Sequence, residues 1–338
     1  MTGVAVVGAG IIGKRMAHAI AAHPELDLAG VGVRRPNGFV LARPDLPYFA
    51  TEREAAERLR GAGVRCAGSL DELLARADLV IDCGPSCSGA GRLGTYRTAG
   101  VGAVFCGGER DPRLGPLVHP RLEPDPPGNR ADARSVRLTS CNTTALARVV
   151  AAVGAAGIEE LDATVVRCGT DTDKAGKGVT DGAVLSVRPS HHATDLRSLL
   201  PALRARSVAM TVAMTAGHVI RLRLRLSSPS AAAALERLRS APWIAVLDEE
   251  TIDTVKIKES IPGYWHNRYA LLVQAVDVAG ADLDLWLCLD NEAITVPEAL
   301  EVLAVLGGAE PDKARRSTES LLAGPVRPSA ASGPGAAR

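Results

Sequence analysis

Six residues near the amino terminus constrain this chain more than any others. Gly8-Ala9-Gly10-Ile11-Ile12-Gly13 stand between an apolar run, Val4–Val7, and a segment whose periodicity predicts a helix over Ile11–Ala22. A second apolar run, Leu26–Val33, completes a strand-helix-strand unit. In that setting each glycine has its own task. Gly8 permits a tight turn, Gly10 lets the backbone approach a pyrophosphate, and Gly13 lets helix and strand pack closely. Ile11 and Ile12 then contribute free N–H groups at the helix N-terminus, where an anion is favoured. The turn is therefore a candidate dinucleotide site. Where an acid would hold the ribose 2′-hydroxyl, the second run ends in Val33-Arg34-Arg35. Two guanidiniums suit a 2′-phosphate, so NADP is the preferred cofactor and NAD the alternative; if both arginines are merely solvated, the preference vanishes.

At 338 residues the chain exceeds one domain of ~150 residues, and two domains are expected. Alternation continues through helical segments at 51–60 and 69–76 and apolar runs at 78–81, 101–105 and 136–139, which implies a doubly wound parallel sheet over residues 1–140. Beyond a helix at 143–153 the pattern changes to longer strands at 160–167, 208–214, 219–226, 270–276 and 283–289. Residues 141–300 thus read as an α+β domain with a mainly antiparallel sheet. Residues 301–324 read as terminal helices packing back on the first domain, and 325–338, rich in Pro, Ser, Gly and Ala, as a disordered tail. Lys and Arg number 39 against 38 Asp and Glu, so no charge excess argues for nucleic acid or a membrane surface. Arginine alternating with leucine over Arg221–Leu226 marks a strand with one charged and one apolar face. Seven cysteines without framework spacing suggest a reduced, cytoplasmic protein, and a start that runs straight into a strand shows no leader pattern. Cys83 and Cys87 lack the further ligands a metal site needs and are expected to line the cofactor crevice.

Ser140-Cys141-Asn142-Thr143-Thr144 follows a strand and opens a helix, which places a thiol where unpaired N–H groups and the helix dipole favour its thiolate. A lone cysteine is usually a small core residue, and position alone leaves nucleophile and core filler level. Other segments decide between them: Ile12-Gly13-Lys14-Arg15, Gly107-Gly108-Glu109, Arg148 on the following helix, Pro189-Ser190-His191-His192-Ala193 and Val296-Pro297-Glu298. With these in order over nearly its whole length, the chain resembles the archaeal-type glyceraldehyde-3-phosphate dehydrogenases.

The resemblance implies that Cys141 attacks an aldehyde, that a hemithioacetal gives hydride to the nicotinamide, and that inorganic phosphate cleaves the resulting thioester. It assigns the acid/base role to His218, a residue that taken alone would be read as a satisfied core histidine. It places Gly108 and Asn291 near the cofactor, and a homotetramer as the assembly. Phosphate recognition needs cationic and hydroxyl donors, and the candidates are Ser140, Asn142, Thr143, Thr144, Arg167, Lys177, His191 and His192. The two histidines have a second reading, as caps of the helix that Ala193 enters. One departure stands out: where the family has paired arginines, this chain has Arg167-Cys168. The same thioester chemistry could thus serve a semialdehyde or another activated acid, and a non-catalytic cofactor-binding regulator is the reading from another class.

Overall fold

A computed structural model describes residues 1–123, 135–169, 181–215, 217–252, 254 and 269–322. The chain divides into two compact units, one formed by Met1–Thr144 with Thr295–Leu321 and the other by Ala145–Ile294. The expected tail at 325–338 and Lys177 lie outside the described residues.

The first unit begins β1 (Thr2–Val7), α1 (Ile11–Ala22), β2 (Leu26–Val33), α2 (Gly38–Ala42), β3 (Tyr48–Ala50), α3 (Arg53–Gly61), β4 (Cys66–Ser69) and α4 (Leu70–Leu74). It continues with β5 (Leu79–Asp82), α5 (Leu93–Ala99), β6 (Gly102–Phe105), β7 (Leu117–Val118) and β8 (Ser135–Leu138). These eight strands form one sheet in the order β4-β3-β2-β1-β5-β6-β8-β7, with parallel pairing throughout. Parallel strands are covered on both faces, which is why they appear in the sequence as unbroken apolar runs. Val4–Val7 and Leu79–Ile81 are buried along their whole length, and Tyr96, Phe105, Leu73 and Leu93 pack with them. The order reverses about β1, so the crevice beyond the C-terminal ends of β1 and β5 is where a doubly wound sheet binds its ligand.

Two helices late in the chain, α9 (Val296–Leu306) and α10 (Pro311–Leu322), belong to this first unit as far as Leu321. Thr2 donates to the Gly307 carbonyl, and His23 meets the Thr318 hydroxyl at 3.3 Å. Burial lowers the pKa of His23 below the ordinary histidine value, so the ring sits neutral there.

Helix α6 (Cys141–Val153) starts in the first unit, and the second unit holds β9 (Ile158–Cys168), β10 (Ala183–Leu185), α7 (His191–Leu199), β11 (Arg204–Val212) and β12 (His218–Leu226). After α8 (Ala231–Ser240) come β13 (Ile244–Leu247), β14 (Leu271–Ala279) and β15 (Asp282–Leu289). The seven strands run β10-β11-β9-β12-β15-β14-β13. Four of the six pairings are antiparallel, while β9 with β11 and β13 with β14 are parallel. The β9-to-β11 connection carries α7, the kind of crossover that a parallel pair requires. On β12 the residues Ile220, Leu222 and Leu224 are buried, and Arg221 and Arg225 bond Asp284 and Asp282 on β15. The arginine row therefore meets acids of its own sheet rather than presenting an uncompensated basic stripe. No helix of the described residues is long and apolar enough to cross a membrane.

Arg148, on α6, is 2% exposed and donates to the carbonyls of Tyr269, Ile294 and Trp243, at 2.5, 2.5 and 3.2 Å. It holds three chain segments of the second unit together. Arg148→Met is expected to lower unfolding free energy by about 3 kcal/mol, because buried carbonyls lose their donors. Denaturant titration reads this directly, and a loss below about 1 kcal/mol would show that the carbonyls find other partners.

Candidate active site

In the first unit, the turn after β1 has the geometry its glycines demand. Gly8 adopts φ +100°, and a Cβ there would sit 3.0 Å from the Cys83 carbonyl oxygen. A Cβ on Gly13 would collide with the Gly8 carbonyl, so helix and turn touch directly. Gly10, by contrast, has nothing within 4 Å of its Cβ direction. That is the open approach a pyrophosphate requires, at the N-cap of α1. Ile11 and Ile12 form the first turn of the helix, and Arg34 and Arg35 stand exposed just past β2. The residues present thus fit a dinucleotide: two close contacts and one clear face.

Sequence reading missed what braces this turn. Asn37 caps α2 by accepting from the Val40 N–H and donates to the Ala9 carbonyl at 2.7 Å. An asparagine before a helix is a visible capping signal, but its second bond spans 28 positions. Asp82, 2% exposed at the end of β5, accepts two bonds from Arg92, one from the Tyr96 hydroxyl and one from the Gly84 N–H. Burial, then the Asp82 carboxylate, pushes the Tyr96 hydroxyl well above its usual range, which keeps it a donor. Together these bonds shape the loop that starts at Cys83. Cys83 and Cys106 are free thiols that share a hydrogen bond, and this contact, followed by burial, raises the Cys83 pKa well above normal. Cys83 lies under the turn, and Cys87 is exposed.

The loop after β6 leads to the candidate nucleophile. Gly107 and Gly108 both have positive φ, and a Cβ on Gly108 would lie 3.2 Å from the Ser140 Cβ. Glu109, buried, accepts from the Gly89 N–H. Ser140 precedes α6; its hydroxyl contacts that of Thr143 at 2.9 Å and accepts weakly from the Thr143 N–H at 3.4 Å. Thr139 and Thr144 share a second hydroxyl pair at 2.8 Å. These bonds fix a tight strand-to-helix turn whose first helical residue is Cys141, half-buried, with Asn142 and Thr143 buried behind it. Since β1, β5, β6 and β8 are parallel, the glycine turn, Gly108 and Cys141 all follow C-terminal strand ends along one edge of one sheet.

In the second unit the other candidates gather at one end of the mixed sheet. His218, 8% exposed, opens β12 opposite Leu289. Gly217 before it takes φ +70°, and a Cβ there would meet the Leu289 carbonyl at 2.6 Å, so the approach to the histidine depends on glycine. The Val219–Val166 pairing sets His218 next to Arg167 near the end of β9. Arg167 Nη2 lies 3.4 Å from His192 Nε2, and the His191 and His192 rings are 4.0 Å apart. The second reading of the two histidines, as caps of α7, does not hold at the Ala193 N–H, which is accepted by the Ser207 hydroxyl of β11 at 3.0 Å. Asn291, after β15, has its Oδ1 4.0 Å from the sulfur of Cys168. Cys141 and His218 are carried by different units.

The model of the glyceraldehyde 3-phosphate dehydrogenase C-terminal domain matches residues 140–248. The glyceraldehyde-3-phosphate dehydrogenase of Aeropyrum pernix is 32% identical over 90% of this chain and 92% of its own. Enzymes of the same name from Methanosarcina barkeri and Halobacterium salinarum are 29% and 30% identical, covering 92% and 95% of this chain and 94% and 99% of theirs. Among solved structures, aspartate semialdehyde dehydrogenase II from Vibrio cholerae superposes with a TM-score of 0.66 at 14% identity, over 90% of this chain and 98% of that one; it shares the fold. Nearly full-length similarity to the archaeal proteins, together with the domain match that opens at Ser140, places this chain in the archaeal glyceraldehyde-3-phosphate dehydrogenase family.

Proposed function

We propose that the protein is a phosphorylating aldehyde dehydrogenase that interconverts glyceraldehyde 3-phosphate, inorganic phosphate and NADP with 1,3-bisphosphoglycerate and NADPH. The observation that carries this reading is Cys141 at the first position of α6, at the same sheet edge as the open Gly10 turn. A thiolate there adds to the aldehyde carbon and leaves an alkoxide or hydroxyl on a hemithioacetal. His218 takes the hydroxyl proton as the C–H bond breaks, and the nicotinamide, when bound, supplies the hydride acceptor. Phosphate oxygen then attacks the thioester carbon, and the C–S bond breaks to return the Cys141 thiolate. Backbone N–H groups at the start of α6, with Ser140 and Asn142, are assigned to hold oxygen as it gains charge.

Arg167, His191 and His192 are the proposed anchor for the phosphate groups, and Thr143 is a further candidate for substrate binding. Gly8, Gly10, Ile11, Ile12, Gly13 and Gly108 are assigned to the cofactor, and Asn291 to its nicotinamide end. Cys168 gives a second reading some support, since a neutral side chain beside Asn291 replaces a guanidinium and a less phosphorylated aldehyde would be accepted. The test is NADP reduction across a panel of aldehydes, with and without phosphate. Strict phosphate dependence and preference for glyceraldehyde 3-phosphate are expected; preference for an unphosphorylated semialdehyde would overturn the substrate. In the same assay, Arg34→Asp with Arg35→Asp should cut kcat/KM for NADP by about 100-fold and spare NAD. A wild type that already prefers NAD would remove the basis for that assignment.

A further inference from the structure

We infer that Cys83 and Cys106 are a redox modification site, a dithiol that a hydroperoxide converts to a disulfide, and that the disulfide weakens binding of the dinucleotide. The two residues face each other across neighbouring strands. Asp82 on β5 pairs with Phe105 on β6, and the Cys106 N–H continues the parallel ladder by donating to the Asp82 carbonyl at 3.0 Å. Cys83 and Cys106 are therefore the next facing positions, with Cα atoms about 4.8 Å apart, inside the range of roughly 4.4–6.8 Å that a disulfide spans. Both are free thiols that share a hydrogen bond, so their side chains already point together. The backbone is at bridging distance as it stands.

The reaction balances on the oxidant alone. The sulfur of Cys83, the half-buried member of the pair, attacks one peroxide oxygen; the O–O bond breaks, leaving a sulfenic acid and releasing water or an alcohol. The sulfur of Cys106 then displaces the sulfenic oxygen, which leaves as water with the second thiol proton. Two electrons pass from the thiols to the peroxide. The shared hydrogen bond and burial hold Cys83 protonated, so conversion is slow and follows sustained exposure.

The effect on binding comes from what the two cysteines support. A Cβ on Gly8 would sit 3.0 Å from the Cys83 carbonyl oxygen and one on Gly13 would sit 3.3 Å from the Cys83 Cβ, so the glycine turn rests on Cys83 without slack. Gly107 and Gly108, both at positive φ, follow Cys106 directly. A covalent bond ties these two loops together and shifts the backbone under the turn. Bound dinucleotide, which needs the turn undistorted, opposes the disulfide by the same factor that the disulfide opposes binding. This step rests on reading the turn as a cofactor site, whereas formation of the disulfide does not.

The test treats the full chain with hydrogen peroxide and then catalase, in a Cys141→Ser background so that the reactive thiol takes no part. Peptide mapping without reductant should find Cys83 joined to Cys106. The dissociation constant for NADPH, read by fluorescence, should rise at least about tenfold and return after dithiothreitol. Adding Cys83→Ala or Cys106→Ala, each checked for folding by circular dichroism, should abolish the response to peroxide, and adding Cys87→Ser should leave it. NADPH present during the treatment should slow formation of the disulfide. Cys83 joined to the exposed Cys87 instead, no disulfide at all, or a disulfide that leaves NADPH affinity unaltered would each overturn the inference. Reduced protein that binds no NADPH would overturn the cofactor reading and the effect on binding with it, while the mapped bond still decides the modification site.

Discussion

Cys141→Ser is expected to lower turnover by on the order of 10⁴-fold or more, with cofactor affinity unchanged. The reason is chemical rather than steric. A serine hydroxyl in place of the thiol is far less ionised near neutral pH, and the ester it would form resists attack by phosphate more than a thioester does. The turn itself should survive, since Ser140, Thr143, Thr139 and Thr144 hold it without the sulfur. Steady-state NADP reduction gives the first number and fluorescence titration with NADPH the second. A variant that keeps a tenth of its activity would move the nucleophile elsewhere.

His218→Asn should reduce turnover by about 10²- to 10⁴-fold, the range for loss of a positioned acid/base group. Asparagine retains a polar, hydrogen-bonding side chain at a position that is 8% exposed, and the pairing of β12 with β15 is made by backbone. The discriminating readout is the pH profile. The parent's turnover should show a pH-dependent limb that the variant lacks, whereas a histidine that only fills the core would alter stability and leave the profile intact. Rapid-mixing measurements should place the lost rate in the hydride-transfer phase, with the Michaelis constant for NADP unaltered.

The sequence exposed those parts of the molecule whose cause is local. Helix α1 and strand β2 have the bounds that their apolar periodicity predicted, and the glycine turn has the conformations its residues allow. Short elements escaped because they carry too few residues for a period to show: β3 has three, and β4 alternates small and polar residues. Helix α8 opens on four alanines, which favour helix but mark no apolar face. The parallel pairing of β9 with β11 was hidden because it depends on where α7 carries the chain, not on the strands themselves. At the candidate site, Cys141 and the histidines could be picked out only through the family resemblance, since position alone leaves Cys141 level with a core filler and reads His218 as a core residue. Asn37, Asp82 with Arg92 and Tyr96, and Ser207 could not, because each acts through a partner distant in sequence.

The claim on which the rest depends is that an acyl group resides on Cys141 during turnover. Mixing the enzyme with glyceraldehyde 3-phosphate and NADP in the absence of phosphate, quenching in acid and mapping peptides by mass spectrometry tests it. The account predicts one acyl adduct, on the peptide that contains Cys141, which disappears when phosphate is added before the quench. An unmodified Cys141 in enzyme that has produced NADPH would contradict it.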